Sequence, residues 1–232
     1  MNALYYCYYL KLLIPKGSVE VAQAQDANFS KDFETKIIGI TGKMGSGKTT
    51  ASHYISSKLE NSIILNVDNI AKKIYSSDKE LLMKLKQCFG NGIFICDDRI
   101  DYRKLGKLVF NDYKEMKKLN KLMFPLIYEE VKDYILKNRG KKKFIIIDAA
   151  ILFDAGLYNF CDKIILVKSH LKRRKKFLEN KNINISEREI DERLRGQKIK
   201  IIRDKVDYVV NNNTDITKFY DNLNKIINEL LK

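Results

Sequence analysis

The chain has 232 residues and 27.1 kDa, with 44 Lys and Arg against 29 Asp and Glu, a net charge of +15 at pH 7. Hydrophobic residues make up 45% of it, with only 2 Pro and 11 Gly, which excludes a disordered or collagen-like polymer and supplies material for a core. No stretch approaches the ~18 consecutive apolar residues that a membrane-spanning helix needs. By length it is one large domain or two small ones. The four cysteines, Cys7, Cys88, Cys96 and Cys161, show neither C-x-x-C nor zinc-ligand spacing and read as reduced thiols in a reducing compartment. The positive charge leaves open nucleic acid, an anionic membrane surface, a polyanionic small substrate, or merely solvated Lys-rich faces.

Residues 1–35 differ from the rest of the chain. Ala3 to Ile14 is a tyrosine-heavy apolar run broken by Lys11, and Pro15, Gly17 and a mostly polar stretch come after it. No basic residue precedes the run, as a signal peptide would require, although Ala22-Gln23-Ala24 resembles a small-residue cleavage site. These 35 residues read as an N-terminal extension, disordered or serving in targeting, with the folded domain spanning 36–232. Within it, short β-branched runs at 37–41, 63–67, 144–148, 164–167 and 208–210 predict five strands, apolar on consecutive residues as parallel strands covered on both faces are. Helical patterns lie between them at 49–59, 79–88, 102–110, 114–136, 171–178, 187–196 and 216–231, with a shorter helical turn at 69–75. Asn213 and Thr214 read as the cap of the last helix. The alternation predicts an α/β fold around a parallel sheet.

Directly after the first strand stands Gly42-Lys43-Met44-Gly45-Ser46-Gly47-Lys48-Thr49, which is G-x-x-x-x-G-K-[ST], the P-loop. Its glycines let the backbone wrap a phosphate with N–H groups facing inward, and the following helix presents its N-terminus to the anion. Lys48 would reach the β- and γ-phosphates and the Thr49 hydroxyl would ligate Mg²⁺. A GTPase would need N-K-x-D, and Asn120-Lys121, Asn180-Lys181 and Asn224-Lys225 all lack the Asp. A small-molecule kinase remains, a class that wants a carboxylate at the acceptor hydroxyl and a basic lid that excludes water. Asp68, just past the second strand, sits where open α/β sheets bind ligands and can serve as base or as a helix cap. Asp148 ends a strand of four apolar residues, a Walker-B-like pattern that can orient Mg²⁺ or bind substrate. Leu171-Lys172-Arg173-Arg174-Lys175-Lys176 suits a lid, spanning about residues 170–197, that clamps phosphate with Arg.

From Ile37 to about Asn212 the residues resemble the dephospho-CoA kinase family. Beside the P-loop, the resemblance rests on Asp68-Asn69-Ile70-Ala71, Phe89-Gly90, Ile100-Asp101-x-x-x-Leu105-Gly106-x-x-Val109-Phe110 and Met123-Phe124-Pro125-Leu126-Ile127. It continues through Asp148-Ala149-Ala150-Ile151-Leu152-Phe153-Asp154-Ala155-Gly156, Arg193-Leu194-x-x-Gln197 and Asp207-Tyr208-Val209-Val210-x-Asn212. Phe124 before Pro125, and Asp148-Ala149-Ala150, look more like the kinase domain of eukaryotic bifunctional CoA synthases, in a chain too short to carry their second activity.

The resemblance implies a nucleoside-kinase-like P-loop NTPase fold with a five-stranded parallel sheet, a helical substrate-binding subdomain and a lid. It implies transfer of the ATP γ-phosphoryl group to the ribose 3′-hydroxyl of dephospho-CoA with Mg²⁺, in the cytoplasm or, through residues 1–35, in an organelle. A separate phosphopantetheine adenylyltransferase would be its metabolic partner, and no nucleic acid is expected. Asp68 matches the catalytic carboxylate, and Lys48, Arg173 and Arg174 the other catalytic positions; Thr49 matches the metal position. ATP would be held by Gly42, Gly45, Ser46, Gly47, Lys48, Thr49 and Thr50, with Arg193 and Asn212 near the adenine; Asp68, Arg103 and Asp148 would contact the acceptor substrate. Three positions depart from the family pattern. Asn66 stands for the first acid of D-x-D, Tyr102 stands where an Arg is usual with Arg103 displaced by one, and the second lid Arg falls near Leu178 with Lys181 as its substitute. Two other readings stay open: a nucleoside or nucleoside-monophosphate kinase, and a basic nucleic-acid-binding protein that retains a P-loop.

Overall fold

The computed structural model describes residues 34–96, 99–181, 187–197 and 199–232. All but the last two residues of the expected N-terminal extension, and with them Cys7, lie outside the described residues. The first strand, β1 (Lys36–Thr41), leads through the glycine-rich loop into α1 (Lys48–Lys58). Then come β2 (Ser62–Asn66), α2 (Val67–Ser77), α3 (Lys79–Phe89), and a small antiparallel pair, β3 (Phe94–Cys96) with β4 (Arg99–Ile100). They are followed by α4 (Tyr102–Asn111), the long α5 (Tyr113–Asn138), β5 (Phe144–Asp148) and β6 (Lys163–Lys168). The chain closes with α6 (Leu171–Lys181), α7 (Glu187–Gly196), β7 (Tyr208–Asn211) and α8 (Ile216–Leu230).

The main sheet has the order β2-β5-β1-β6-β7, and every pairing in it is parallel. This is the five-stranded parallel sheet that the apolar runs predict. Successive side chains alternate between its faces. Ile37, Ile145, Ile147 and Leu65 pack under α2–α5, whereas Ile38, Ile40, Ile146, Ile165 and Val167 pack under α1 and α8. Both faces are covered, so each strand is apolar throughout. α5 carries its buried residues Met116, Leu119, Met123, Ile127, Val131 and Ile135 at steps of three and four, the signature of one apolar stripe. It runs on through Pro125, whose missing N–H costs the helix one internal hydrogen bond.

Two local expectations change, and one element is new. The turn expected at 69–75 is the full helix α2, because β2 ends at Asn66, one residue earlier than expected, and Asn66 caps the helix, its side chain accepting from Asn69 N at 3.1 Å. The cap of the last helix is Asp215, whose carboxylate accepts from Lys218 N at 2.9 Å, instead of Asn213 or Thr214. Asp215 directly precedes the first helical residue with extended dihedrals, whereas the Asn213 side chain accepts from His170 N at 2.8 Å across the sheet edge. The short β3–β4 pair carries no periodicity long enough to be read from sequence.

Candidate active site

The carboxyl ends of β1, β2, β5, β6 and β7 line one edge of the sheet, where open α/β sheets bind ligands. Five helices begin with a side chain accepting from a backbone N–H: Asn66, Asp78, Asp101, Asp112 and Asp215 cap α2, α3, α4, α5 and α8. α1 has no such cap and no acidic residue in its first turn; Gly47 precedes it in the left-handed region at φ 99°. Its first N–H groups therefore face outward at the positive end of the helix dipole, an arrangement that suits an anion. Gly47 is required twice over, by its dihedral and because a Cβ there would run into Asn212 Nδ2.

Lys48 and Thr50 are half-buried in the first turn of α1 and Thr49 is exposed between them. Thr49 Oγ1 donates to Asp148 Oδ2 at 2.9 Å, and Ser52 Oγ approaches the same oxygen at 3.4 Å. Asp148 is buried, at the end of β5, level with Asn66 on one side and Ile40 on the other. It thus stands behind the loop, bonded to its hydroxyl. This placement fits Mg²⁺, which is typically held by one or two protein oxygens completed by substrate phosphates. Among the described residues there is no group of three or more His, Cys, Asp or Glu that could hold a metal by itself.

The two adjacent arginines of α6 have opposite surroundings. Arg173 is exposed, whereas Arg174 is 4% exposed and donates from Nε to the Met44 carbonyl at 2.6 Å and from Nη2 to Gln197 Oε1 at 3.2 Å. The same Gln197 oxygen accepts from Met44 N at 2.6 Å. Met44 packs its side chain with Leu178, Ile190 and Leu194 of the paired helices α6 and α7. Those two helices are further joined by Lys175, 2.6 Å from Glu187 and 3.0 Å from Asp191. Asn212, just past β7, donates from Nδ2 to the Ser46 carbonyl at 3.0 Å. Ser46 Oγ and Asn212 Oδ1 are buried and find no hydrogen-bond partner among the described residues. Arg193 falls in α7, and its side chain, like that of Lys181, lies outside the described residues.

At the same sheet edge, just past β2, Asp68 is half-buried in the first turn of α2. The cap there is Asn66, so Asp68 does not serve as one. Lys72, a residue the sequence reading passed over, follows one turn later and is half-buried. Burial pushes its pKa below the ordinary lysine value, and the Asp68 charge opposes that shift. Its i+4 spacing from Asp68 was the available signal. Arg103 is exposed in the first turn of α4, its backbone N–H held by the Asp101 cap at 3.0 Å. Tyr102 instead turns against Tyr75, edge to face, at 5.8 Å between ring centroids.

A phosphate-wrapping loop between the central strand of a parallel sheet and an uncapped helix, with a carboxylate on its threonine and a basic helix pair against its tip, defines a P-loop kinase. The family model for dephospho-CoA kinase matches residues 36–218, and this chain belongs to that family. It is 34% identical to the dephospho-CoA kinase of Fusobacterium nucleatum over 79% of this chain and 93% of that one. In fold it resembles the crystal structure of TT1252 from Thermus thermophilus, at 24% identity and TM-score 0.68, covering 86% of this chain and 99% of the other. It also resembles the dephospho-CoA kinase from Campylobacter jejuni, at 21% identity and TM-score 0.54, covering 84% and 96%. Among the described residues no helix is long and apolar enough to cross a membrane.

Proposed function

We propose that this chain transfers the γ-phosphoryl group of ATP to the ribose 3′-hydroxyl of dephospho-CoA, releasing ADP and coenzyme A. The observation that carries this reading is the uncapped N-terminus of α1, braced by Asp148 through Thr49, in a chain of the dephospho-CoA kinase family. The P-loop N–H groups and Lys48 hold the triphosphate, with Gly42, Gly45, Ser46, Gly47 and Thr50 forming its wall. Thr49, with Asp148 behind it, holds the Mg²⁺, which neutralises phosphate charge when bound. Asp68 accepts the proton of the acceptor hydroxyl, and Lys72 one turn on steadies that carboxylate and meets substrate charge. Arg173 is the lid arginine assigned to the phosphates; Arg103 is assigned to the acceptor. Phosphoryl transfer of this kind is mostly positioning and charge neutralisation, and two polyanionic substrates give the +15 chain a use for part of its charge.

A separate phosphopantetheine adenylyltransferase supplies the acceptor in this reading. The work is placed in the cytoplasm, with an organelle as the alternative if residues 1–35 direct the chain there; a tagged chain with and without them separates the two. The test of the reaction is purified full chain with Mg²⁺, ATP and dephospho-CoA, following ADP release and the 3′-phosphorylated product. Turnover with nucleosides or nucleoside monophosphates, and none with dephospho-CoA, would replace this reading by the alternative kinase class.

A further inference from the structure

The P-loop is held from outside at alternate carbonyls. Arg174 Nε takes the Met44 carbonyl at 2.6 Å, and Asn212 Nδ2 takes the Ser46 carbonyl at 3.0 Å. In a planar trans peptide the C=O and the next residue's N–H point in opposite directions. A side chain that draws the Met44 carbonyl toward the lid therefore turns the Gly45 N–H away from the lid. Likewise, Asn212 turns the Gly47 N–H away from β7. Gln197 Oε1 takes up a different donor of the loop, the Met44 N–H, at 2.6 Å. The fit is close on both flanks: a Cβ on Gly45 would lie 3.0 Å from the Arg174 carbonyl oxygen, and one on Gly47 would collide with Asn212 Nδ2. The Met44 side chain seals the arrangement, 5% exposed among Leu178, Ile190 and Leu194.

We propose that Arg174 and Asn212, with Gln197, are positioning residues that set the peptide planes of the P-loop, so that the lid helices and β7 pre-form the phosphate site through Met44 and Ser46. The inference rests on the P-loop holding a nucleotide, but not on which acceptor is phosphorylated. It gives Arg174 a different task from a direct phosphate clamp. The guanidinium is buried against the outside of the loop with Nε and Nη2 committed to protein oxygens, whereas Arg173 beside it is exposed. A charged donor serves well here because such hydrogen bonds are stronger than neutral ones.

The two tasks differ in what they do to ADP. A residue that shapes the loop affects every nucleotide carrying a β-phosphate, while a clamp on the γ-phosphate affects ATP and spares ADP. Calorimetry with Mg-ADP and with a non-hydrolysable ATP analogue, no acceptor present, is therefore the measurement. In Arg174→Ala both affinities should fall together, by about tenfold or more, the scale of a lost charge-assisted hydrogen bond. In Asn212→Asp, isosteric but unable to donate to the Ser46 carbonyl, both should fall by about fivefold. Arg174→Lys, which keeps the charge and one donor, should recover part of the loss, and it carries the test together with Asn212→Asp if the alanine variant does not fold. Because Arg174 Nη2 donates to the same Gln197 oxygen that accepts from Met44 N, the double alanine variant should lose less than the sum of the singles. Folded Arg174 and Asn212 variants that bind Mg-ADP as the parent does would overturn the proposal, whatever happens to ATP. Loss of all kinase turnover on dephospho-CoA in the parent chain would instead sink the acceptor reading and leave this one standing.

Discussion

The two halves of the site are built differently. On the nucleotide side, Asp148, Arg174, Gln197 and Asn212, from four separate segments, all reach the loop between Gly42 and Thr49. In the half proposed for the acceptor, Asp68 and Arg103 each stand in the first turn of a helix whose cap, Asn66 or Asp101, is its own near neighbour in the chain. The first half is held by tertiary contacts; the second is placed by local helix geometry. Rigid, pre-aimed donors stabilise developing charge without reorganising, which is what a site for a transferring phosphoryl group needs.

The largest effect should come from groups at the reacting atoms in either half. Lys48→Ala and Asp68→Asn should each lower turnover by about 10²–10³-fold, read as ADP release with dephospho-CoA present. An Asp68→Asn enzyme running near the parent rate would remove Asp68 as the base and leave the acceptor half without its chemistry. Asp148→Asn comes next. It weakens the support behind Thr49, so turnover should drop by about 10–100-fold and a magnesium titration should shift to higher metal, as for loss of a group that orients a metal ligand. An unchanged magnesium titration would show that the bond to Thr49 is not what prepares the metal site. Metal removal by chelator should abolish turnover in the parent and be reversed by added Mg²⁺.

A smaller change separates the halves. Arg103→Ala should raise KM for dephospho-CoA by about two- to fivefold, the scale of an exposed charge contact, and leave KM for ATP alone. A rise in KM for ATP instead would show that α4 serves the nucleotide half. The smallest effect concerns the helix that packs on α1. The Asp215 carboxyl has a lowered pKa in the fold, mainly through its hydrogen bond from the Lys218 backbone N–H. Its ionised form therefore stabilises the fold above the ordinary Asp range, and that contribution is lost as pH falls through the lowered value. Acid unfolding of Asp215→Ala should differ from the parent at neutral pH, and the difference should close as both curves enter strong acid.

Legibility follows the same division. The P-loop and its helix could be read because eight adjacent residues carry the whole local instruction. The five strands were legible because burial on both faces leaves an unbroken apolar run. Asp68 was placed at the right edge, but its rival role as a cap went to Asn66, a choice between two side chains that depends on where β2 leaves the sheet. Arg173 and Arg174 looked alike in the chain. One helix step, about 100° of rotation, puts the first outside and the second against the loop. Lys72 gives no signal as a lysine in a Lys-rich sequence; only the fold leaves it half-buried one turn after Asp68.

Sequence alone determined the anion cup, the parallel sheet and the membership of a kinase family, since each is written in neighbouring residues or in a repeated pattern of side-chain types. Tertiary structure alone decided which side chains hold the cup in shape. The partners of Met44 lie 130 and 153 residues away and that of Ser46 lies 166 away, and no rule of local spacing connects them. They meet because the strand order brings the ends of β1, β6 and β7 together at one edge of the sheet, and only there can a guanidinium or an amide reach a carbonyl of the loop.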